Sequence, residues 1–368
     1  MVIFPGGCLV RALSADPFIA TAAWYTCAMG KGLALGCVLA GTLMAAPCTT
    51  ATADCTEKVP VGDNGKWGLA YRTVPLTAKN DAVRRAFVLI HGMNRNADGY
   101  FRTAVAAALL GGALEDTIVI SPRFASNDGR SCRDPLGEGE VSWTCQGDNW
   151  SGGGPAADDA GLYSFDFIDS LLKRIAKKDV FPNLKVIVVA GHSAGGQFVN
   201  RYAASNKVDG TLGVPLHYVV SNPSSYMYLD ALRPAADMAC TAKGCTGSFG
   251  AYRDARNCTT YNRWRYGLED KRGYVAQRTD DELKSLSAAR DVTYLLGDQD
   301  QYPLAGFDSS CPAMAQGPTR FARGLAYWNY VNTNHHAKHK LVVVELCGHN
   351  ARCMFTAEPA LAVTFPKR

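Results

Sequence analysis

The pentapeptide Gly191-His192-Ser193-Ala194-Gly195 carries the strongest chemical signal in this chain. It follows the aliphatic run Lys185–Ala190 (KVIVVA) and precedes a helix-like stretch, QFVNRYAAS. A serine on such a strand-to-helix turn is held in strained backbone geometry, with its hydroxyl projecting from the sheet edge. The flanking glycines let strand and helix approach without Cβ clashes. The Ala194 amide and the helix N-terminus can then stabilise developing negative charge. A serine so placed suits nucleophilic attack on a carbonyl.

The turn is useful only if strands and helices hold it. Ala86–Ile90, Thr117–Ser121, Lys185–Ala190, Leu216–Ser221, Val292–Leu296 and Leu341–Leu346 are continuous β-branched and aliphatic runs. Strands buried on both faces read this way. Between them, Tyr100–Leu110 is Ala-rich. Ser164–Lys177 places Phe165, Ile168, Leu171, Leu172 and Ile175 on one face, with Ser164 as N-cap, and Thr319–Tyr330 repeats the spacing. The alternation predicts an α/β fold, a doubly wound, mostly parallel sheet with helices on both faces. Lys66–Pro75 supplies an earlier hairpin strand. Residues 224–290, rich in Tyr, Arg and Cys, break the alternation and read as an inserted cap. The Gly-rich loop Gly147–Gly154 reads as a second insertion, and no phosphate-binding Gly-x-x-x-x-Gly-Lys-Ser/Thr run occurs.

Three further motifs each follow a strand. His91-Gly92 follows AFVLI, Gly297-Asp298-Gln299-Asp300 follows VTYLL, and Gly348-His349-Asn350 follows LVVVELC. With Gly-x-Ser-x-Gly, these four motifs in this order resemble the α/β-hydrolase superfamily over roughly residues 60 to 360. The resemblance implies Ser193 as nucleophile, His349 as base and an aspartate as the third member. It places oxyanion donors at the amides of Met93 and Ala194. Asp298 and Asp300 compete for the acid, with Asp308 a distant third. Spacing favours Asp300, which leaves Asp298 to cap the turn. His349 would take the serine proton, and the aspartate would fix its tautomer and stabilise the imidazolium. No metal or cofactor is required. His91 is expected to shape the oxyanion loop. His335, His336 and His339 read as a solvated loop, and a zinc site on Cys347, His349 and Cys353 would compete with the triad.

Composition narrows the setting. The 368 residues are 47% hydrophobic and 19% charged, with a net charge of +5 and no basic stripe, which disfavours a nucleic-acid partner. Thirteen cysteines without a Cys-x-x-Cys pair point to disulfides in an oxidising compartment. The charge-free run Gly32–Ala46 follows Lys31 and precedes Ala51-Thr52-Ala53. It is too short to span a bilayer and has the shape of a secretory signal peptide starting at Met29. Residues 1–53 are then an upstream extension and signal peptide, and residues 54–368 the catalytic domain. From Cys55 onward nine cysteines remain, so one should lack an intrachain partner. Cys132–Cys145 and Cys240–Cys245 are expected bridges, with one more among Cys311, Cys347 and Cys353.

The expectation is a secreted or periplasmic serine hydrolase of small-molecule or polymeric carboxylic esters. Trp150 and Tyr226 stand for the insertion aromatics that could line its substrate pocket. A peptidase or amidase uses the same triad, and an inactive binding module could share the fold. Oligomeric state and acyl specificity are not legible.

Overall fold

The structure is a computed structural model that describes residues 9–11, 24–26, 47–147, 149–303 and 306–366. The chain divides into Met1–Pro47 and Cys48–Arg368. In the first unit, Leu9–Arg11 pairs antiparallel with Trp24–Thr26. The signal-peptide run Gly32–Ala46 lies outside the described residues.

The second unit is built on eight strands: β1 (Thr56–Pro60), β2 (Trp67–Arg72), β3 (Arg85–Ile90), β4 (Thr117–Pro122), β5 (Val186–His192), β6 (Leu216–Ser221), β7 (Val292–Gly297) and β8 (Lys340–Val344). Their spatial order is β8-β7-β6-β5-β3-β4-β2-β1. The six strands from β8 to β4 are parallel, and β2 and β1 add antiparallel. Every residue of β3, β4, β6 and β7 is buried, as strands covered on both faces must be.

Alternation along the strands feeds two cores. Phe87 and Leu89 point toward α1 (Ala97–Leu110), α7 (Ala351–Thr356) and α8 (Glu358–Thr364). Ala86, Val88 and Ile90 point toward α2 (Ser164–Ile175), α3 (Ala194–Ser205) and α6 (Arg320–Asn334). The doubly wound architecture is therefore as expected. The α2 stripe is fully buried, but Ser164 does not cap it. Tyr163 is the N-cap residue, its N–H donating to Asp166 Oδ2 at 3.0 Å. The buried Ser164 hydroxyl donates instead to Trp150 O at 2.7 Å.

The chain from 222 to 291 runs between β6 and β7. It forms two short antiparallel pairs, Leu232–Pro234 with Phe249–Ala251 and Ala239–Thr241 with Gly244–Thr246, then α4 (Asp280–Ala289). Arg233 staples it from within: the buried guanidinium donates to the carbonyls of Asp230, Leu232, Tyr261 and Tyr266. The short helix α5 (Cys311–Met314), which follows β7, is tied to this insertion by Cys258–Cys311.

The expected Cys132–Cys145 and Cys240–Cys245 bridges are present, and Cys347 joins Cys353. The expectation of an odd cysteine is corrected: Cys55 pairs with Cys48, so every described cysteine is paired. Among the described residues no helix is long and apolar enough to cross a membrane.

Candidate active site

Ser193 sits between β5 and α3 with φ 58° and ψ −118°, backbone angles that few residues other than glycine adopt. Close packing imposes them. A Cβ on Gly195 would stand 2.6 Å from His91 O and closer still to Ile90 O, so only glycine lets α3 meet β3 here. The strained turn aims the Ser193 hydroxyl at His349.

His349 Nε2 lies 2.9 Å from Ser193 Oγ, and Nδ1 lies 2.7 Å from Asp300 Oδ2. A carboxylate can only accept, so Nδ1 carries the proton and Nε2 accepts from the serine hydroxyl. The three groups come from three loops. Asp300 N–H donates back to Gly297 O at 3.1 Å, curling the loop after β7 toward the histidine. The His349 loop is closed by Cys347–Cys353, and the Asn350 side chain caps α7 by accepting from Cys353 N–H at 3.0 Å.

The rival acids lie elsewhere. Asp308 accepts from Tyr266 Oη at 2.7 Å. Asp298, expected to cap its turn, does not: its Oδ1 is buried without a hydrogen-bond partner among the described residues. Asn222 was not anticipated. It is buried at positive φ (43°) just after β6; its Oδ1 accepts from Gly297 N–H at 2.9 Å and its Nδ2 donates to Gly348 O at 3.2 Å. One side chain thus ties the acid loop to the histidine loop. The Asn-Pro pair closing a strand was the only available signal, since Asn tolerates the left-handed region.

The amides of Met93 and Ala194 find no protein acceptor among the described residues, so both are free to receive an anion. The loop that presents Met93 is fixed three ways. His91 Nδ1–H donates to Gly92 O at 2.9 Å while Nε2 accepts from Phe124 N–H at 3.0 Å. Arg95 Nη1 donates to Met93 O at 3.0 Å, and its Nε and Nη2 hold Asp134 at 2.5 and 3.2 Å. Complete burial pushes His91 down to about 4 and holds it neutral in this tautomer. His192, whose ring lies 4.7 Å from that of His349, is also held well below the usual value, by burial first and then by His349. Its Nδ1 meets Tyr100 Oη at 3.0 Å.

Ser193, His349 and Met93 open onto one cleft of about 670 Å³ that also takes in Asn94, Asn96 and Asn350. No residue of 224–290 lines it, so the insertion does not wall this cleft. The two expected pocket aromatics are corrected as well, since both are completely buried. Trp150 stacks on Phe124 at 5.0 Å and meets the His91 ring at 4.8 Å, packing against the base of the Met93 loop. Tyr226 stacks on Tyr327 at 4.6 Å in the core. His339, expected in solvent, is buried with Nε2 against Ser287 O at 2.8 Å. Among the described residues no group of three His, Cys, Asp or Glu is placed to hold a metal, and Cys347 and Cys353 are spent on each other.

The sequence profile of the alpha/beta hydrolase family matches residues 87–364. No curated protein is similar enough in sequence to match. Among solved structures, the poly(3-hydroxybutyrate) depolymerase LpqC from Bordetella parapertussis superposes with a TM-score of 0.56 and 20% identity, over 83% of this chain and 86% of that one. Poly(aspartic acid) hydrolase-1 from Sphingomonas sp. KT-1 gives 0.51 and 20%, over 81% and 95%. At these identities the likeness is one of fold.

Proposed function

The chain belongs to the alpha/beta hydrolase family, and on that premise we propose that it hydrolyses carboxylic esters through an acyl-enzyme on Ser193. The observation that carries this reading is the unbroken path Ser193 Oγ, His349 Nε2, His349 Nδ1, Asp300 Oδ2, at 2.9 and 2.7 Å. Ser193 Oγ attacks the ester carbonyl as His349 Nε2 takes its proton. Asp300 holds the tautomer and stabilises the imidazolium. The carbonyl oxygen becomes an oxyanion, received by the free amides of Met93 and Ala194; one such donor contributes about 3 kcal/mol. His349 returns the proton to the leaving alcohol, and water repeats the cycle on the acyl-serine. The open, amide-lined cleft suits a short, polar or polymeric ester better than a long acyl chain. The disulfides support work in an oxidising compartment, reached through a signal peptide that starts at Met29.

Ser193→Ala tests the reading. It should abolish turnover of p-nitrophenyl acetate and labelling by a fluorophosphonate while leaving thermal unfolding near wild type. Asp300→Asn should lower kcat by about four orders of magnitude, and Asp298→Asn, whose Oδ1 has no hydrogen-bond partner to lose among the described residues, should leave kcat near wild type. Near-normal turnover by Ser193→Ala would end the proposal.

A further inference from the structure

The Asp300 side chain is completely buried, and a carboxylate without solvent or a cation takes up a proton. Its Oδ2 is occupied by His349. Its other oxygen, Oδ1, faces Arg320 Nη1 at 3.4 Å, and the Arg320 side chain is itself completely buried. Arg320 leads α6 from a fixed position. Its Nε donates to Ser224 Oγ at 2.7 Å, and its guanidinium carbon lies 5.2 Å from the centre of the Phe307 ring. We propose that Arg320 is a positioning residue for the reaction proposed above, a buried cation that keeps Asp300 ionised and sets the acid limb of the pH–rate profile.

The neighbouring groups leave that role to Arg320. Burial holds Tyr226 protonated, and His192 stays neutral. Arg323 spends its guanidinium on the carbonyls of Ser224 and Asp308. The Asp308 carboxylate is taken by Tyr266 and Ser310. Asp298 Oδ1 has no hydrogen-bond partner among the described residues, and Arg352 stands exposed at the edge of the cleft, on the far side of the histidine loop in sequence. The fixed positive charge of Arg320 beside Asp300 opposes proton uptake by the Asp300–His349 couple as a whole. Protonating either member removes the base, so the same charge sets the pH below which activity falls.

The experiment rests on the ester-hydrolase reading and compares kcat/KM against pH for p-nitrophenyl acetate. Wild-type turnover that Ser193→Ala abolishes secures that reading first. Arg320→Gln should move the acid limb up by about one pH unit. Arg320→Lys, which keeps a charge there, should move it by less than half as much. Ser224→Ala removes the hydroxyl that aims the guanidinium and should move the limb the same way by a smaller amount; it serves if Arg320→Gln does not fold. A folded, active Arg320→Gln with the wild-type limb overturns the inference and leaves the hydrolase reading standing. So does an unmoved limb in Ser224→Ala where Arg320→Gln fails to fold.

Discussion

Replacing Gly195 with alanine should damage both stability and turnover, for one geometric reason. The added methyl would stand 2.6 Å from His91 O, about 0.8 Å short of the 3.4 Å at which ordinary contact begins, and nearer still to Ile90 O. Both obstacles are main-chain oxygens at the end of β3, in the middle of the sheet, and neither can swing aside. The helix must retreat by close to an ångström or β3 must bend. Overpacking on this scale costs about 1–3 kcal/mol, and the obstacles here are backbone, so the upper end applies. Retreat of α3 also carries Ser193 away from His349, where the present 2.9 Å leaves little slack. A misplacement of one ångström in such a site costs about a hundredfold in rate. The assays are thermal or urea unfolding and kcat for p-nitrophenyl acetate. A Gly195→Ala protein as stable and as fast as wild type would show that the elbow is not held by this contact.

Three other outcomes follow from the same geometry. Burial sets His91 at about 4, below the unfolded value of about 6.5, so between these the unfolded chain binds a proton that the folded chain refuses. Its contribution is whole above about pH 6.5 and drains as pH falls toward 4, by up to about 3 kcal/mol; urea unfolding of His91→Gln should lose that part of the slope, and an identical slope would refute it. Exported protein should retain Cys48 and yield no free thiol to Ellman's reagent when unfolded, because Cys55 is bonded to Cys48; a mature chain starting at Asp54 with one free thiol would be the contrary result. Arg95→Met removes the donor to Met93 O and frees the oxyanion loop, so kcat should fall about tenfold, part of the roughly 3 kcal/mol that a whole donor contributes, with KM little changed; an unaltered kcat would discard the clamp.

What could be read from residue order was what is local. Strand, serine turn and helix are contiguous between 185 and 205, so period and glycine placement locate the elbow without tertiary information. The run Leu341–Leu346 overshot, because β8 is an edge strand that ends at Val344, and Leu346 is left exposed at positive φ. The strand β1 was missed because TEKVP, at the other edge, is broken by the charges of Glu57 and Lys58 and lacks an apolar run. Trp150 and Tyr226 were misassigned because aromatic character does not say whether a ring faces a pocket or the core. Asn222 and Arg320 were invisible for a different reason: each acts across the chain, on residues 126 and 20 positions away.

The edge position of β8 also orders events in time. Among the described residues it pairs only with β7, and it delivers His349 to a serine 156 residues earlier in the chain. On the proposed reading, a nascent polypeptide emerging from the ribosome or the export channel carries its nucleophile long before it carries its base. The central strands and elbow can assemble first and remain inert. Hydrolytic competence arrives in one step, when the final strand docks, so a half-made chain cannot cleave esters inside the cell that is still producing it.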